Sequence, residues 1–463
     1  MWEPIDAGWS DRELSELELG DKRLESRARQ VAEELSGKPE APINQASEDW
    51  AATKAAYRFF DNDNASAQKI LSPHQRRTVD RMRGEGVVLV IQDTTYLNYD
   101  AHEYVTGLGP IGDSRSNAQG LIMHSALAVT PAGLPLGLLS QRIWARSENK
   151  VAHQRKRKTI ETKESYRWIE TLRETQRIAA PNTRVVTVCD RESDIYEFFV
   201  EADKLDTSFV VRASWNRRVC NEAFSNLWEM LQAQEVVGHT TVQLPHRSIH
   251  AVNTLDLEVR FAPVTLKVPN RSASQAADAE RLPAVTLYAV YVKETGAPVG
   301  SEPVEWLLLT NLAVQTVEEA LEKVRWYARR WSIEVFHRIL KSGCTVERCQ
   351  LETAERLVKY LTLMSIVAWR IFWMTHFKRT DPSAPATQVL TKTELRALPL
   401  LFKKKPPYPP SRMPTVAQVV VAIARLGGFL ARKSDKNPGP TAIWRGWQRL
   451  ADAAIVVGTI NGQ

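Results

Sequence analysis

The stretch Val87-Val88-Leu89-Val90-Ile91-Gln92-Asp93 carries five apolar residues without alternation before it reaches a carboxylate. A half-exposed strand alternates, so an unbroken apolar run of this length predicts a β-strand buried on both faces. The same grammar returns in Arg184-Val185-Val186-Thr187-Val188-Cys189-Asp190. Two such strands predict an α/β sheet with an acid at the carboxyl end of each, where ligands of open α/β sheets gather. Neighbouring and parallel strands would bring both acids to one pocket.

Outward from these strands, Ile122–Thr130 and Leu136–Trp144 flank Pro131-Ala132-Gly133 and predict a hairpin, giving a mixed sheet with the first strand central. Residues 10–70 read as a small basic helical domain. Asp21 caps a segment that has Leu24, Ala28, Val31 and Leu35 at helical spacing and Arg23, Arg27 and Arg29 on its other faces, and Asp49–Phe60 forms a second helix. The polar segment 146–163, with Arg155-Lys156-Arg157-Lys158 inside it, predicts a mobile loop, and Lys163–Ile178 a helix. Between Phe209 and Leu312 strand patterns dominate, broken by a polar loop around 270–277, which predicts an all-β insertion. Long helices return over Thr316–Phe377, a Lys- and Pro-rich linker covers 403–410, and the tail 415–454 is helical.

With 463 residues and 43% apolar side chains, the chain predicts two to four domains with real cores and excludes low-hydrophobicity disorder. The balance of 61 Lys plus Arg against 54 Asp plus Glu, a net +7, suits cytosolic enzymes and nucleic-acid binders alike, so the placement of charge matters more than its sum. The four cysteines show neither CxxC spacing nor nearby paired His, which disfavours zinc and a disulfide framework and fits a reducing cytosol. Val416–Ala424 is the longest strong apolar run, about half of what a membrane helix needs, and the amino terminus is acidic where a signal peptide is basic. A soluble, unexported protein without a membrane partner is expected.

Two hard oxygen donors such as Asp93 and Asp190 suit Mg²⁺ or Mn²⁺; the plainer reading is that each merely begins a turn. An aspartyl nucleophile of the DxD kind is weak here, because Asp93-Thr94-Thr95 lacks the second acid. In YARRWSIEVFHRILKSG, drawn as one helix, positions 327, 330, 334 and 341 fall at about 0°, 300°, 340° and 320°. Tyr327, Arg330, Glu334 and Lys341 would then share a face. A solvated stripe is the ordinary explanation, but one carboxylate among two cations and a phenol suits a phosphate backbone lying across a metal-bound acid. Asp93, Asp190 and Glu334 together form a ligand set for two metals about 3.5–4 Å apart performing in-line phosphoryl transfer. By itself Trp306 reads as core. His337, a turn from Glu334, is either a hydrogen-bond donor near the site or a structural histidine, and Cys189 is a small buried strand residue.

With IQDTT at Asp93, VCDRESDI at Asp190 and the Tyr-x2-Arg-x3-Glu-x6-Lys pattern at Tyr327, Arg330, Glu334 and Lys341, the chain resembles the bacterial cut-and-paste DDE transposases of the insertion-sequence-four superfamily, most closely the Tn-five transposase. LGDKRLESR, AAYRFF, FVVRAS, EWLLLTN and AIARLGGF extend the resemblance through nearly the whole chain, with low similarity in 146–165, 266–282 and 379–412. Arg338 departs from a Lys and Val335 from a Glu of the relative.

The resemblance implies an α/β fold with a ribonuclease H-like catalytic core and an all-β insertion, flanked by helical N-terminal and C-terminal domains. The expected divisions are an end-recognition domain at 1–66, a catalytic domain at 67–381 with its insertion at about 213–312, and a dimerisation domain at 382–463. It implies that Asp93, Asp190 and Glu334 bind two Mg²⁺ ions, with Mn²⁺ able to substitute, and that Tyr327, Arg330, Arg338, Lys341 and Arg212 hold DNA. Trp306, which precedes Tyr327 by 21 residues, is implied to stack on a flipped base, and Arg27 and Arg58 to meet the transposon end. The implied activity is nicking at the ends, hairpin formation and opening, and strand transfer into target DNA. A homodimer would pair two inverted-repeat ends in the bacterial cytoplasm, at the nucleoid when bound. A catalytically silent DNA-binding regulator and a metal-dependent nuclease without strand transfer are the rival readings.

Overall fold

Val88, Leu89, Val90 and Ile91 are completely buried in β1 (Val87–Asn98), because the sheet that contains it is covered on both faces. The computed structural model describes residues 8–112, 117–147, 159–243, 254–269, 282–297, 300, 302–403, 407–409, 412–432, 434–435 and 437–461. The basic run 155–158, the polar loop 270–277 and part of the linker 403–410 lie outside them.

After β1 come β2 (Gly109–Pro110), β3 (Gln119–Val129), β4 (Pro135–Trp144), β5 (Arg184–Cys189), β6 (Ser208–Arg212), β7 (Gly238–Gln243), β8 (Thr254–Leu266), β9 (Val285–Glu294) and β10 (Glu305–Thr310). They form one ten-stranded sheet of order β2-β3-β1-β5-β6-β10-β9-β8-β7, with β4 paired to β3. β1 is parallel to β5 and antiparallel to β3, and β3 and β4 form the expected hairpin. Alternate residues face opposite cores: Leu89 and Ile91 join Val186 and Val188 under the helices of the C-terminal half, while Val88 and Val90 pack with Met82, Leu136 and Ala180.

Two expectations change here. The FVVRAS segment is not insertion, since β6 pairs in parallel with β5 inside the central sheet. The block after it is not purely β, because it contains the helix Leu227–Gln232, and its strands extend the central sheet through the β10–β6 pair.

The helices begin with α1 (Trp9–Glu13), α2 (Lys22–Gly37), α3 (Ile43–Ala46), α4 (Trp50–Asp61) and α5 (Ala67–Met82). Asp21 and Asp49 cap α2 and α4 by accepting from the amides of Arg23 at 2.8 Å and Ala52 at 2.7 Å. α6 (Arg167–Ile178), shorter than expected and preceded by two 3-10 turns, packs with α7 (Tyr196–Lys204) on the sheet, where Phe199 stacks on Phe209; the insertion helix is α8. Then follow α9 (Val317–Ala328), α10 (Trp331–Arg338), α11 (Ala354–Thr380), α12 (Lys392–Leu400), α13 (Val416–Leu426) and α14 (Pro440–Asn461). Gly427 and Gly446 let α13 and α14 touch backbone to backbone, since a Cβ on either would run into the carbonyl of Ala442 or Ile423.

α11, not the Val416–Ala424 run, is the most membrane-like segment by length and composition, yet 89% of its apolar window is buried inside the protein. Arg370 in its middle is buried between the rings of Trp9 and Trp447, at 4.8 and 4.3 Å, and bonds the Ser36 hydroxyl at 2.9 Å. One cation thereby joins the first helix, the central helix and the last.

A second buried polar cluster ties α1 and α5 to β4. His74 Nε2 accepts from the Leu138 amide at 2.9 Å, so its Nδ1–H donates to Glu13, which also receives both terminal nitrogens of Arg81 at 2.9 Å. Burial alone would raise the Glu13 carboxyl, but Arg81 and His74 hold it well below the usual range, while burial keeps His74 below 6.5. A depressed carboxyl and a depressed imidazole both contribute stability above their unfolded values and lose it as pH falls, so stability should decline on acidification from about pH 6.5. Glu13→Gln should cost about 3–5 kcal/mol at pH 7 by leaving the partly buried Arg81 without its carboxylate partner. Urea unfolding of wild type and variant at pH 7, and of wild type at pH 7 and pH 4, checks both expectations.

Candidate active site

The parallel ladder between β1 and β5 ends at Ile91 opposite Val188. Asp93 and Asp190 each lie two residues further on, so they stand level in register. β5 stops at Cys189 and delivers Asp190 into a 3-10 turn at Arg191–Ser193. β1 does not stop: it runs to Asn98 because β3 continues to pair with it, Asp93 opposite Ser125. Asp93 is therefore at the point where β1 loses its parallel neighbour, not at a strand end as expected.

Backbone amides hold both carboxylates, from Thr94 to Asp93 Oδ1 at 2.8 Å and from Glu192 to Asp190 Oδ1 at 2.9 Å. Burial first, and then the charge of Asp190, push the Asp93 carboxyl up to about 7; Arg330 and the Thr94 amide oppose this and Glu334 adds to it. Asp93 thus senses both of the other acids.

The segment 327–341 is not the single helix of the sequence reading. After α9 the amides of Arg329, Arg330, Ser332 and Ile333 bond carbonyls three residues back, at 3.0, 2.9, 2.9 and 3.2 Å, while Arg329 Nε reaches the Pro131 carbonyl at 2.9 Å. Beyond α10 the chain widens into a π turn, Ile339–Gly343. A uniform 100° step fails over this tight-then-wide path. Three of the four residues still meet. Arg330 Nη2 donates to Glu334 Oε1 at 2.6 Å, and its guanidinium lies 6.0 Å from the Tyr327 ring and 5.2 Å from that of Trp331. Burial works against the charge of Arg330, but Tyr327, Glu334 and Asp93 hold it protonated. Lys341 instead donates to the Tyr96 carbonyl at 2.8 Å and sits 3.4 Å from Glu347.

Trp306, on β10, is only 4% exposed and meets the Tyr327 ring edge-on at 4.9 Å. Arg212, at the end of β6, donates to the Glu305 carbonyl at 2.9 Å and faces the Tyr327 phenol. Burial pushes the Tyr327 phenol up and Arg212 down. His337 is buried with Nδ1 3.9 Å from Asp93 Oδ2, pushed down to about 3 by burial and then Lys341, and therefore neutral. Arg338 is exposed. Arg27, bonded to Gln30 at 2.9 Å, and exposed Arg58 lie on α2 and α4, which pack on each other and on α11.

Among the described residues, no three His, Cys, Asp or Glu side chains stand close enough to hold a metal together, and Glu334 is turned to Arg330. The donor set nevertheless fits a divalent cation: a hard carboxylate that burial first, and then its acid neighbours, keep at about 7 is what such a charge would relieve. Buried Arg330 Nε and His337 Nε2 have no partner among the described residues.

Known protein families match this chain in three stretches: Transposase DNA-binding over residues 6–65, Transposase DDE domain over 151–370 and Transposase Tn5 dimerisation domain over 366–460. The chain belongs to the Tn5-like DDE transposases. It is a DNA transposase, with DNA and a second copy of itself as partners, and its family uses divalent metal ions. The DDE match takes in Asp190, Trp306, Tyr327, Arg330, Glu334 and Lys341 and begins beyond Asp93.

The sequence reading missed Arg167 and Thr94, which bond each other beside the acids. A lone Arg at a helix start after a polar segment looks like solvated surface. In the transposase, Arg330→Gln should lower metal-free stability by about 1.5–3 kcal/mol, the worth of a hydrogen bond to a charged group. Added Mg²⁺ should restore more in this variant than in wild type, since it replaces the lost positive charge; thermal unfolding with and without chelator reads both.

Proposed function

We propose that this transposase performs cut-and-paste transposition: it nicks each transposon end, uses the freed 3′-hydroxyl to form a hairpin, opens the hairpin with water and joins the ends to target DNA. The level register of Asp93 and Asp190 just past the β1–β5 ladder, with Glu334 near enough to act on Asp93, carries the reading. All four steps are phosphoryl transfers, which need positioning and charge stabilisation more than covalent chemistry.

Asp93, Asp190 and Glu334 would hold two Mg²⁺ ions, or Mn²⁺ in their place, which supply Lewis-acid stabilisation of the developing phosphate charge. Arg330 would leave Glu334, and Lys341 leave Glu347, to take phosphate oxygens, exchanging one anionic partner for another. Tyr327, Arg212 and Arg338 would flank the strand. His337, neutral and packed near Asp93, limits the space for that carboxylate without adding charge. Trp306 would stack on a flipped base, which requires Tyr327 to move from its edge; such stacking is worth about 1–3 kcal/mol. Arg27 and Arg58 would bind the ends, with 1–66 as the end-recognition unit, 67–381 as the catalytic unit and 382–463 as the dimer contact.

Asp93→Asn, Asp190→Asn and Glu334→Gln should each abolish nicking, hairpin and joined product on a duplex carrying the cognate ends, while gel-shift binding of those ends persists. Mg²⁺-dependent cutting retained by any of them would refute the assignment. A silent regulator would bind the ends and cut nothing even as wild type, and a simple nuclease would cut without a hairpin. End binding should also weaken steeply with salt, log affinity falling linearly with log salt as phosphates displace counterions.

A further inference from the structure

Arg167 stands at the first position of α6, outside every motif, with its side chain only 12% exposed. Its Nε donates to the Thr94 hydroxyl at 3.0 Å, its Nη2 to Glu192 Oε2 at 2.7 Å and its Nη1 to the Glu164 carbonyl at 2.9 Å. The two side chains it joins belong to the two residues whose amides bond the carboxylates, Thr94 to Asp93 and Glu192 to Asp190. The Thr94 hydroxyl donates onward to His124 Nδ1 at 2.9 Å, and the opposite ring nitrogen faces Gln92 Oε1 at 3.3 Å. His124 is 1% exposed, and its burial keeps the ring neutral, so Nδ1 is free to accept. The Thr94 rotor is thereby fixed from both sides.

We propose that Arg167 is a positioning residue that sets the separation of Asp93 and Asp190, and with it the affinity for the divalent cation, by bridging the residues that hold the two carboxylates. This rests on the reading of these acids as metal ligands. The ladder between β1 and β5 has ended by Ile91 and Val188, so sheet pairing no longer fixes the spacing where the acids stand. A planar guanidinium can span that gap with two divergent donors; an ammonium is a point charge and cannot. The competing use of the same charge is a DNA phosphate contact.

The test uses the full-length protein, Mn²⁺ as the probe in calorimetry without DNA, and cutting of an end duplex. Arg167→Lys keeps the charge and removes the bridge. The Mn²⁺ dissociation constant and the metal concentration for half-maximal cutting should rise about tenfold or more, and kcat should fall, as when groups orienting metal ligands are lost. KM for DNA and the salt slope of binding should stay at their wild-type values. Thr94→Val and Glu192→Gln, each cutting one arm, should move Mn²⁺ affinity in the same direction, and Glu192→Gln should add little on top of Arg167→Lys; these two variants carry the test if Arg167→Lys fails to fold. Wild-type Mn²⁺ affinity in all three variants would overturn the proposal, as would a loss confined to KM and the salt slope. Asp93→Asn separates the two levels. If it binds Mn²⁺ and cuts as wild type does, the metal reading falls and the bridge with it; if it is inert while Arg167→Lys behaves as wild type, only the bridge falls.

Discussion

Repulsion between Asp93 and Asp190 is the interaction around which the rest of the transposase is arranged. Two buried parallel strands bring the carboxylates level, and burial removes the water that would screen them. Burial is the larger cause and the repulsion adds to it, and together they push the Asp93 carboxyl up to about 7. Arg330 is the protein's own counter-charge, and the tight turn at 329–330 supplies it from the joint between α9 and α10. Glu334, one turn later, adds a third negative charge and neutralises that cation. A site of this kind favours a divalent ion and a phosphate together, because each satisfies what the other side of the arrangement lacks.

The same device, a cation buried among aromatic rings and acids, recurs far from the catalytic centre. Arg370 lies between Trp9 and Trp447, with Glu394 at 3.6 Å. It sits in α11, within both the DDE and dimerisation matches, while Trp9 lies in the DNA-binding match and Trp447 in the dimerisation match. All three parts of the transposase thus share one helix as a mounting. An isolated charge is costly to bury, and here the hydroxyl, the carboxylate and two indole faces offset that cost.

The core strands were legible because continuous apolar runs have few other uses: β1, β5 and the β3–β4 hairpin stand where the pattern puts them. Asp93 was legible as a residue but not as a position, since whether a strand stops depends on its neighbour, and β3 keeps β1 extended to Asn98. The shared face of Tyr327, Arg330 and Glu334 was legible although the helix that implied it is broken, because a tight turn keeps residues three and four apart close. Lys341 fell outside the arc, since the π turn carries it to the Tyr96 carbonyl. The plain reading of Trp306 as core agrees with its 4% exposure without DNA.

By itself the sequence determined the core strands, most of the helices and the family, and singled out the three acids, because period, residue chemistry and motif spacing are local properties of the chain. Only the tertiary structure decided that β6 belongs to the central sheet, that the insertion strands continue that sheet, and that Asp93 answers to Asp190 and Glu334. It alone placed Arg167 between Thr94 and Glu192, which are 98 residues apart in sequence and joined by one guanidinium. Such bonds depend on distances closed by the packing of α6 against the sheet, and no spacing along the chain encodes them.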